Sequence, residues 1–356
     1  MTLHQLVAGF RDGDAISNEA VRIRKLCEAH GAKSEIWAPR ETTASDSQAE
    51  VSDVSALAGR VRPDDVALLH LSVGSRCNSV FPALPCRRAI LYHNVTPAGF
   101  FERLDPSAAA ILEEGRRQVA ALRGAAHGTW ADSEFNASEL RAAGYENPKV
   151  LPLMMDVLGP QGGPADGGML AKLSEPGRTN LLFVGRVVPN KRHDKLLLVF
   201  NAYRKRVDPA ARLVVAGGAS SPAYMALLMG MAKNLQIADS VIFTEFLTDA
   251  ELRACYATAS AFVCVSDHEG FCAPLLEAMA WRVPLFAVAN AAVPETTAGA
   301  GVLFAPETGP ETIAETMGRV LHDGALREAV LRRQDARLAG FRARDEWADL
   351  QPVLHV

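Results

Sequence analysis

The stretch AFVCVSDHEGFCAPLLE, residues 261–277, passes from an apolar run into a polar loop and then into a helical pattern with a proline near its start. Residues 261–265 read as a buried strand, and Pro274 places the first turn of a helix, because a proline there gives up an N–H that has no intrahelical partner. Strand, loop and helix in that order are one βα unit. The amides around Phe271, Cys272, Ala273 and Leu275 then point out of the helix start, and together with the positive end of the helix dipole they suit a diphosphate. Glu269 lies in the loop and Glu277 about one turn into the helix. Two carboxylates so placed reach different ends of one ligand and accept hydrogen bonds from vicinal hydroxyls.

The same alternation extends in both directions. Downstream, residues 283–288 read as another strand; upstream, so do 180–185, 212–216 and 240–244, each followed by an amphipathic stretch. In the first half, strands are expected at 5–9, 34–38, 66–71, 89–93, 127–131 and 149–153, with helices between them. Within residues 18–29, Val21, Ile23, Leu26 and Cys27 form a stripe at helical spacing and Gly31 follows as a stop. This is the pattern of parallel sheets covered by helices. A glycine- and proline-rich interval, GPQGGPADGGMLAKLSEPG at 159–177, interrupts it and reads as a linker without a regular element. The expected organisation is a first domain at 1–158, a linker at 159–178, a second domain at 179–340 and a closing segment at 341–356 that returns to the first. A length of 356 residues fits two such domains better than one core.

Composition narrows the function. With 49% hydrophobic and 22% charged residues the chain can build a sizeable core, and a net charge of -4 gives no bulk attraction to nucleic acid. Six cysteines stand apart without a CxxC pair or a Cys/His run at ligand spacing, so reduced thiols and no metal site are expected. The N-terminus lacks a basic stretch followed by an apolar signal core, and the reading is cytoplasmic. Peripheral contact with the inner face of a plasma membrane needs only a basic amphipathic surface and stays open. No GxGxxG follows a predicted strand, which sets aside a dinucleotide-dependent oxidoreductase.

A second motif, FVGRVVPNK at 183–191, runs from a strand into a loop with Gly185 and two cations, Arg186 and Lys191, that suit a diphosphate as a fork and a point charge. Together with the 261–277 block, AGG at 216–218, VPETTAGAG at 293–301, ADSEFN at 131–136 and YHNVTP at 92–97, it resembles family 4 of the retaining glycosyltransferases. The resemblance spans most of the chain and is closest in feel to bacterial polysaccharide mannosyltransferases. It implies the α/β GT-B fold, two doubly wound Rossmann-like domains facing across a cleft. It implies a metal-independent hexosyltransferase that uses a nucleotide diphosphate sugar, GDP-mannose slightly ahead of UDP-sugars, and a glycan or lipid-linked acceptor in cell-surface polysaccharide synthesis.

By that resemblance Arg186 and Lys191 bind the diphosphate, Glu277 the ribose, Glu269 the sugar hydroxyls, and His93 stands against the donor sugar near the scissile bond. Gly13, in RDGDAIS at 11–17, and Gly217 let backbone approach the donor. His268 supports Glu269. The sequence departs from the family pattern at Gly13, flanked by Asp12 and Asp14, at Cys272, where a glycine is common, and at Glu245, where a glycine often stands. An inactive sugar-nucleotide binding module and a GT-B nucleotide-sugar epimerase are the rival readings. Intact Arg186, Lys191, Glu269 and Glu277 speak against the first.

Overall fold

The computed structural model describes all 356 residues. The chain separates into two compact units. One comprises Met1–Gly99, Pro106–Asp156 and Arg344–Val356; the other comprises Phe100–Asp105 and Val157–Ala343.

The first unit is built on seven strands: β1 (Thr2–Val7), β2 (Lys33–Ala38), β3 (Ser52–Asp53), β4 (Val66–Leu71), β5 (Arg87–Tyr92), β6 (Gly128–Ala131) and β7 (Lys149–Val150). They are all parallel, in the order β3-β2-β1-β4-β5-β6-β7. Every residue of β4 is buried, as a near-continuous apolar run requires when helices cover both faces of a sheet. The helix Ala15–Ala29 starts where the Asp14 side chain accepts the Ser17 N–H, and it buries Ser17, Glu19, Ala20, Ile23 and Cys27. At the far end of the sequence the helix Glu346–Leu354 packs Leu350, Val353 and Leu354 into the cluster that holds Leu3, Ile23 and Trp130. Arg22 fixes its start through a 2.7 Å ion pair with Glu346.

The second unit repeats the plan with six parallel strands: β8 (Asn180–Val184), β9 (Arg212–Ala216), β10 (Val241–Phe243), β11 (Ala261–Cys264), β12 (Leu285–Val288) and β13 (Val302–Phe304), in the order β10-β9-β8-β11-β12-β13. Its core gathers Phe183, Leu196, Phe200, Tyr203, Val263 and Phe286. In each sheet the strand order reverses once, between β1 and β4 in the first and between β8 and β11 in the second. Ligands of open α/β sheets bind outside the carboxyl ends of the strands at such reversals. The loops after β8 and β11 are the two motifs singled out above.

Three expectations are corrected. Residues 159–178 are not a linker free of regular structure: a 3₁₀ turn occupies Gly159–Gly162 and a helix occupies Gly167–Leu173. The reason is local, because the Asp166 side chain accepts the Met169 N–H and caps the segment, and the good helix formers Met169–Leu173 carry it on past Gly167 and Gly168. These residues count with the second unit, as does the short excursion Phe100–Asp105, whose Leu104 carbonyl accepts from Ser221 Oγ at 2.7 Å. Finally, the edge strands β3 and β13 were not expected; two and three residues are too short to show a period.

Candidate functional site

At the reversal in the second sheet the two loops are tied to each other by one backbone and one side-chain hydrogen bond. Asp267 N–H donates to the Asn190 carbonyl at 2.9 Å, and Asn190 Nδ2 donates to the His268 carbonyl at 3.1 Å. Arg192, in the left-handed region at φ 54°, reaches Asp267 at 2.5 Å and Asp194 at 3.0 Å. From the third side the Ala292 N–H meets the Glu269 carbonyl at 3.2 Å and Asn290 Nδ2 the Ser266 carbonyl at 3.0 Å. Thr296 Oγ1 donates to the Phe271 carbonyl. The loop after β11 is therefore held at both flanks, which fixes where its side chains project.

What this frame brings together is Lys191 and Glu269, joined by an ion pair from Nζ to Oε2. Glu269 is 4% exposed. Burial alone would lower the Lys191 pKa, yet the neighbouring Glu269 carboxylate more than offsets it, and the group ends above its usual value. Arg186 differs: it is exposed and its side chain makes no hydrogen bond or ion pair, leaving a guanidinium fork available. His268 sits behind Glu269 with its ring 6.1 Å from that of Phe100.

The backbone beneath Arg186 is unusually close. Gly185 and Gly217 have φ of 145° and 147°, and a Cβ on Gly217 would lie 2.2 Å from the Gly185 carbonyl oxygen. Gly185 N–H donates to Ala216 and Val187 N–H to Gly218, both at 2.9 Å, so neither loop is free to retreat.

The helix Pro274–Ala280 begins as expected with proline at its first turn, but one of its amides is already used. Leu275 N–H donates to the Cys272 carbonyl at 3.1 Å because the chain tightens ahead of the helix, so the amides without a backbone partner are those of Phe271, Cys272 and Ala273. Cys272 has φ 67°, a conformation that costs a side chain free energy and suits glycine. Its Sγ lies within 4.8 Å of Cys264 Sγ and a Glu269 oxygen. Glu277 accepts from Tyr256 Oη at 2.6 Å. Burial raises the Glu277 carboxyl above its usual pKa, the Tyr256 hydrogen bond opposing the shift and Asp249 adding to it.

The remaining predicted residues are in the first unit. Gly13 is exposed, with φ 77° and nothing near the position of a Cβ. His93 directly follows β5, but its side chain is 2% exposed and both ring nitrogens face protein groups: Nε2 lies 3.0 Å from His70 Nδ1 and 3.4 Å from Glu19, and Nδ1 lies 3.3 Å from Asp132. As placed, His93 offers no ring nitrogen to a ligand. Glu19, His70 and Asp132 were not among the expected site residues.

Comparison with known proteins agrees with this picture at two levels. Residues 171–335 match the family model described as glycosyl transferases group 1. A GDP-mannose-dependent alpha-(1-6)-phosphatidylinositol monomannoside mannosyltransferase of Mycobacterium tuberculosis is 35% identical over 126 residues, 33% of this chain and 32% of that protein. A D-inositol 3-phosphate glycosyltransferase of Salinispora arenicola is 35% identical over 156 residues, 41% of this chain and 34% of that protein. The matches thus span about a third of the length of these curated relatives. Among solved structures, Anabaena HepE in complex with UDP-glucose superposes with a TM-score of 0.76 at 13% identity, over 99% of this chain and 98% of that one. WaaG, a glycosyltransferase involved in lipopolysaccharide biosynthesis, gives 0.72 at 13% identity over 99% and 98%. These likenesses establish two parallel-sheet Rossmann-like units of the GT-B kind. No helix is long and apolar enough to cross a membrane.

Proposed function

We propose that this chain, of GT-B fold and with a C-terminal half that matches the glycosyl transferases group 1, moves a hexose from a nucleotide diphosphate sugar to a glycan or lipid-linked acceptor. The observation that carries the reading is the assembly at the β8/β11 reversal, where the Lys191–Glu269 pair and the unpaired Arg186 share one loop frame. Arg186 grips the diphosphate in a forked contact and Lys191 adds a point charge, so the leaving group gains stabilisation as its bond to the sugar weakens. The amides of Phe271, Cys272 and Ala273, which have no backbone partner, add to it. Glu269 accepts from hydroxyls of the donor sugar and Glu277 from the ribose, with Tyr256 holding the Glu277 carboxylate in place.

Arg186, which no carboxylate in the protein compensates, and Lys191, whose charge is shared with Glu269, supply the positive field at the diphosphate, and the reaction is proposed to need no metal. Configuration is retained, through attack on the face the leaving group departs from, with a donor phosphate oxygen taking the acceptor proton. GDP-mannose is favoured because the mycobacterial relative, 35% identical over the matched stretch, is GDP-mannose-dependent by its name. A product that builds surface polysaccharide or glycolipid fits the acceptor class, and contact with the inner membrane face accompanies a lipid-linked acceptor.

The test is nucleotide release from GDP-mannose, UDP-glucose and UDP-N-acetylglucosamine in EDTA, with a panel of alkyl mannosides as acceptors and the anomeric configuration of the product read by NMR. Acceptor-dependent GDP release, unchanged by EDTA, with an α-mannosidic product is expected. Release without an acceptor, giving a free altered sugar, would make the chain an epimerase. Absence of release from any donor that nevertheless binds would make it an inactive binding module.

A further inference from the structure

The first unit buries a polar cluster that the donor site does not use. Gln5 on β1, Glu19 on the helix Ala15–Ala29 and His70 on β4 are all fully buried; His93 after β5 and Asp132 after β6 are nearly so. Two carboxylates and two imidazoles in one apolar interior are costly unless their protons are strictly arranged.

The arrangement follows from one fixed point. Gln5 Nε2 donates to the Ala20 carbonyl at 2.9 Å, and a backbone carbonyl has nothing to give in return, so the amide cannot be reversed. Gln5 Oε1 therefore faces His70 Nε2, 3.0 Å away, and accepts. His70 carries its proton on Nε2. Burial and the nearby His93 charge hold its pKa well below the usual value, so it is neutral and its Nδ1 presents a lone pair. That lone pair lies 3.0 Å from His93 Nε2, with the two rings parallel within 3°. Two lone pairs would repel at that distance. His93 Nε2 must carry a proton, and Nδ1 faces Asp132 Oδ2 at 3.3 Å, where an ionised Asp132 takes a second ring proton; the other Asp132 oxygen accepts from Asn136 Nδ2 at 2.5 Å.

We infer that Gln5, His70, Glu19 and Asp132 are positioning residues that hold His93 as a doubly protonated imidazolium at neutral pH, so that it serves as a fixed cation and not as a base. Glu19 supplies the countercharge. Its Oε1 accepts from the Met154 N–H at 2.9 Å, while its buried Oε2 has no hydrogen-bond partner and stands 3.4 Å from His93 Nε2. The charged groups that bear on His93 are Glu19 from the helix, Asp132 after β6 and Asp14 in the loop after β1; His70 faces it from β4, and Arg344 acts on Glu19. Burial opposes the cation and also pushes its partners up, Glu19 to about 7 and Asp132 above the usual carboxylate range, while the attraction of Glu19, Asp132 and Asp14 for the ring leaves the His93 pKa above its ordinary value. The consequence for catalysis rests on the transferase reading above: His93 does not take the acceptor proton, and activity falls as pH rises through the His93 titration.

Two measurements keep the inference separate from that reading. Nitrogen-15 NMR of histidine-labelled protein, with the His93 signals assigned from their absence in His93→Gln, reads the ring state without any assay of transfer. At pH 7.5 both His93 nitrogens are expected to be protonated. His70→Gln, whose amide keeps one donor and one acceptor, should preserve that signature, whereas Glu19→Gln should lower the His93 titration midpoint by at least about one pH unit, the effect of losing an opposite charge at this range. An imine-type nitrogen on wild-type His93 at pH 7.5, or a midpoint that ignores Glu19→Gln, overturns the inference. In the transfer assay kcat should show a basic limb that Glu19→Gln moves to lower pH. An acid limb at the His93 midpoint would make His93 a base and overturn the mechanistic consequence alone.

Discussion

Lys191→Met is expected to abolish transfer, by roughly a hundred-fold or more as for a lost transition-state contact, and to destabilise the protein by about 3–5 kcal/mol. Both effects have one origin. Glu269 is buried and Lys191 is its ionic partner, so methionine fills the space but leaves a carboxylate without a counterion in a place that excludes water. Breaking a buried pair from one side costs far more than the pair itself contributes, because the surviving charge keeps its desolvation penalty. The double variant Lys191→Met/Glu269→Gln separates the two effects. It should recover most of the lost denaturation midpoint, since no buried charge remains, while nucleotide binding and transfer stay impaired. A double variant as unstable as the single one would mean that Lys191 stabilises the loop by packing and not by charge.

Gly217→Ala should be nearly as damaging without touching a polar group. The new Cβ would sit 2.2 Å from the Gly185 carbonyl oxygen in a backbone conformation that L-residues rarely adopt. Both loops are pinned by the Gly185 to Ala216 and Val187 to Gly218 hydrogen bonds, so the clash must be relieved by moving the segment that carries Arg186. Strain at such a position plus overpacking amounts to about 2–5 kcal/mol. A lowered melting temperature should accompany nucleotide affinity weakened by about ten-fold or more, the scale of one charged hydrogen bond. Gly230→Ala, at an exposed helical glycine with open space around it, is the control: it should leave nucleotide affinity unchanged and raise the melting temperature slightly, by the ~0.5–1 kcal/mol helix preference of alanine over glycine.

The second unit was the more legible half of the molecule. Its two motifs are continuous in sequence, each a strand followed by a loop, and the reversal of strand order places such loops side by side. Glycines 185 and 217 were visible as glycines, although the 2.2 Å approach between them is a property of two segments and has no trace in either alone. Cys272 shows the converse. At φ 67° it occupies a position that suits glycine, which gives a physical reason for the residue usually found there.

A helical stripe through Val21, Ile23, Leu26 and Cys27 does not show the buried network of the first unit. The buried face in fact contains Glu19, Ile23 and Cys27 at intervals of four, and a glutamate in that register is the signal that was available. His70 gave a similar sign as a lone polar residue inside the apolar run of β4. Neither reveals its partners, since Gln5, Glu19, His70, His93 and Asp132 come from five separate segments. The glycine- and proline-rich interval failed for another reason: composition argued for a linker, whereas a single aspartate cap at Asp166 was enough to start a helix.

The loops after β8 and β11 are proposed to bind a nucleotide diphosphate through Arg186. Because that side chain is exposed and bonded to nothing in the protein, Arg186→Ala leaves the fold intact and isolates the contact. Calorimetric titration of GDP, UDP, GDP-mannose and UDP-glucose, without added metal, into wild type and Arg186→Ala is the direct measurement. One nucleotide class should bind the wild type, GDP by the present reading, and Arg186→Ala should weaken it by about ten-fold or more. Absence of binding by every nucleotide, or equal affinity in Arg186→Ala, would contradict the account.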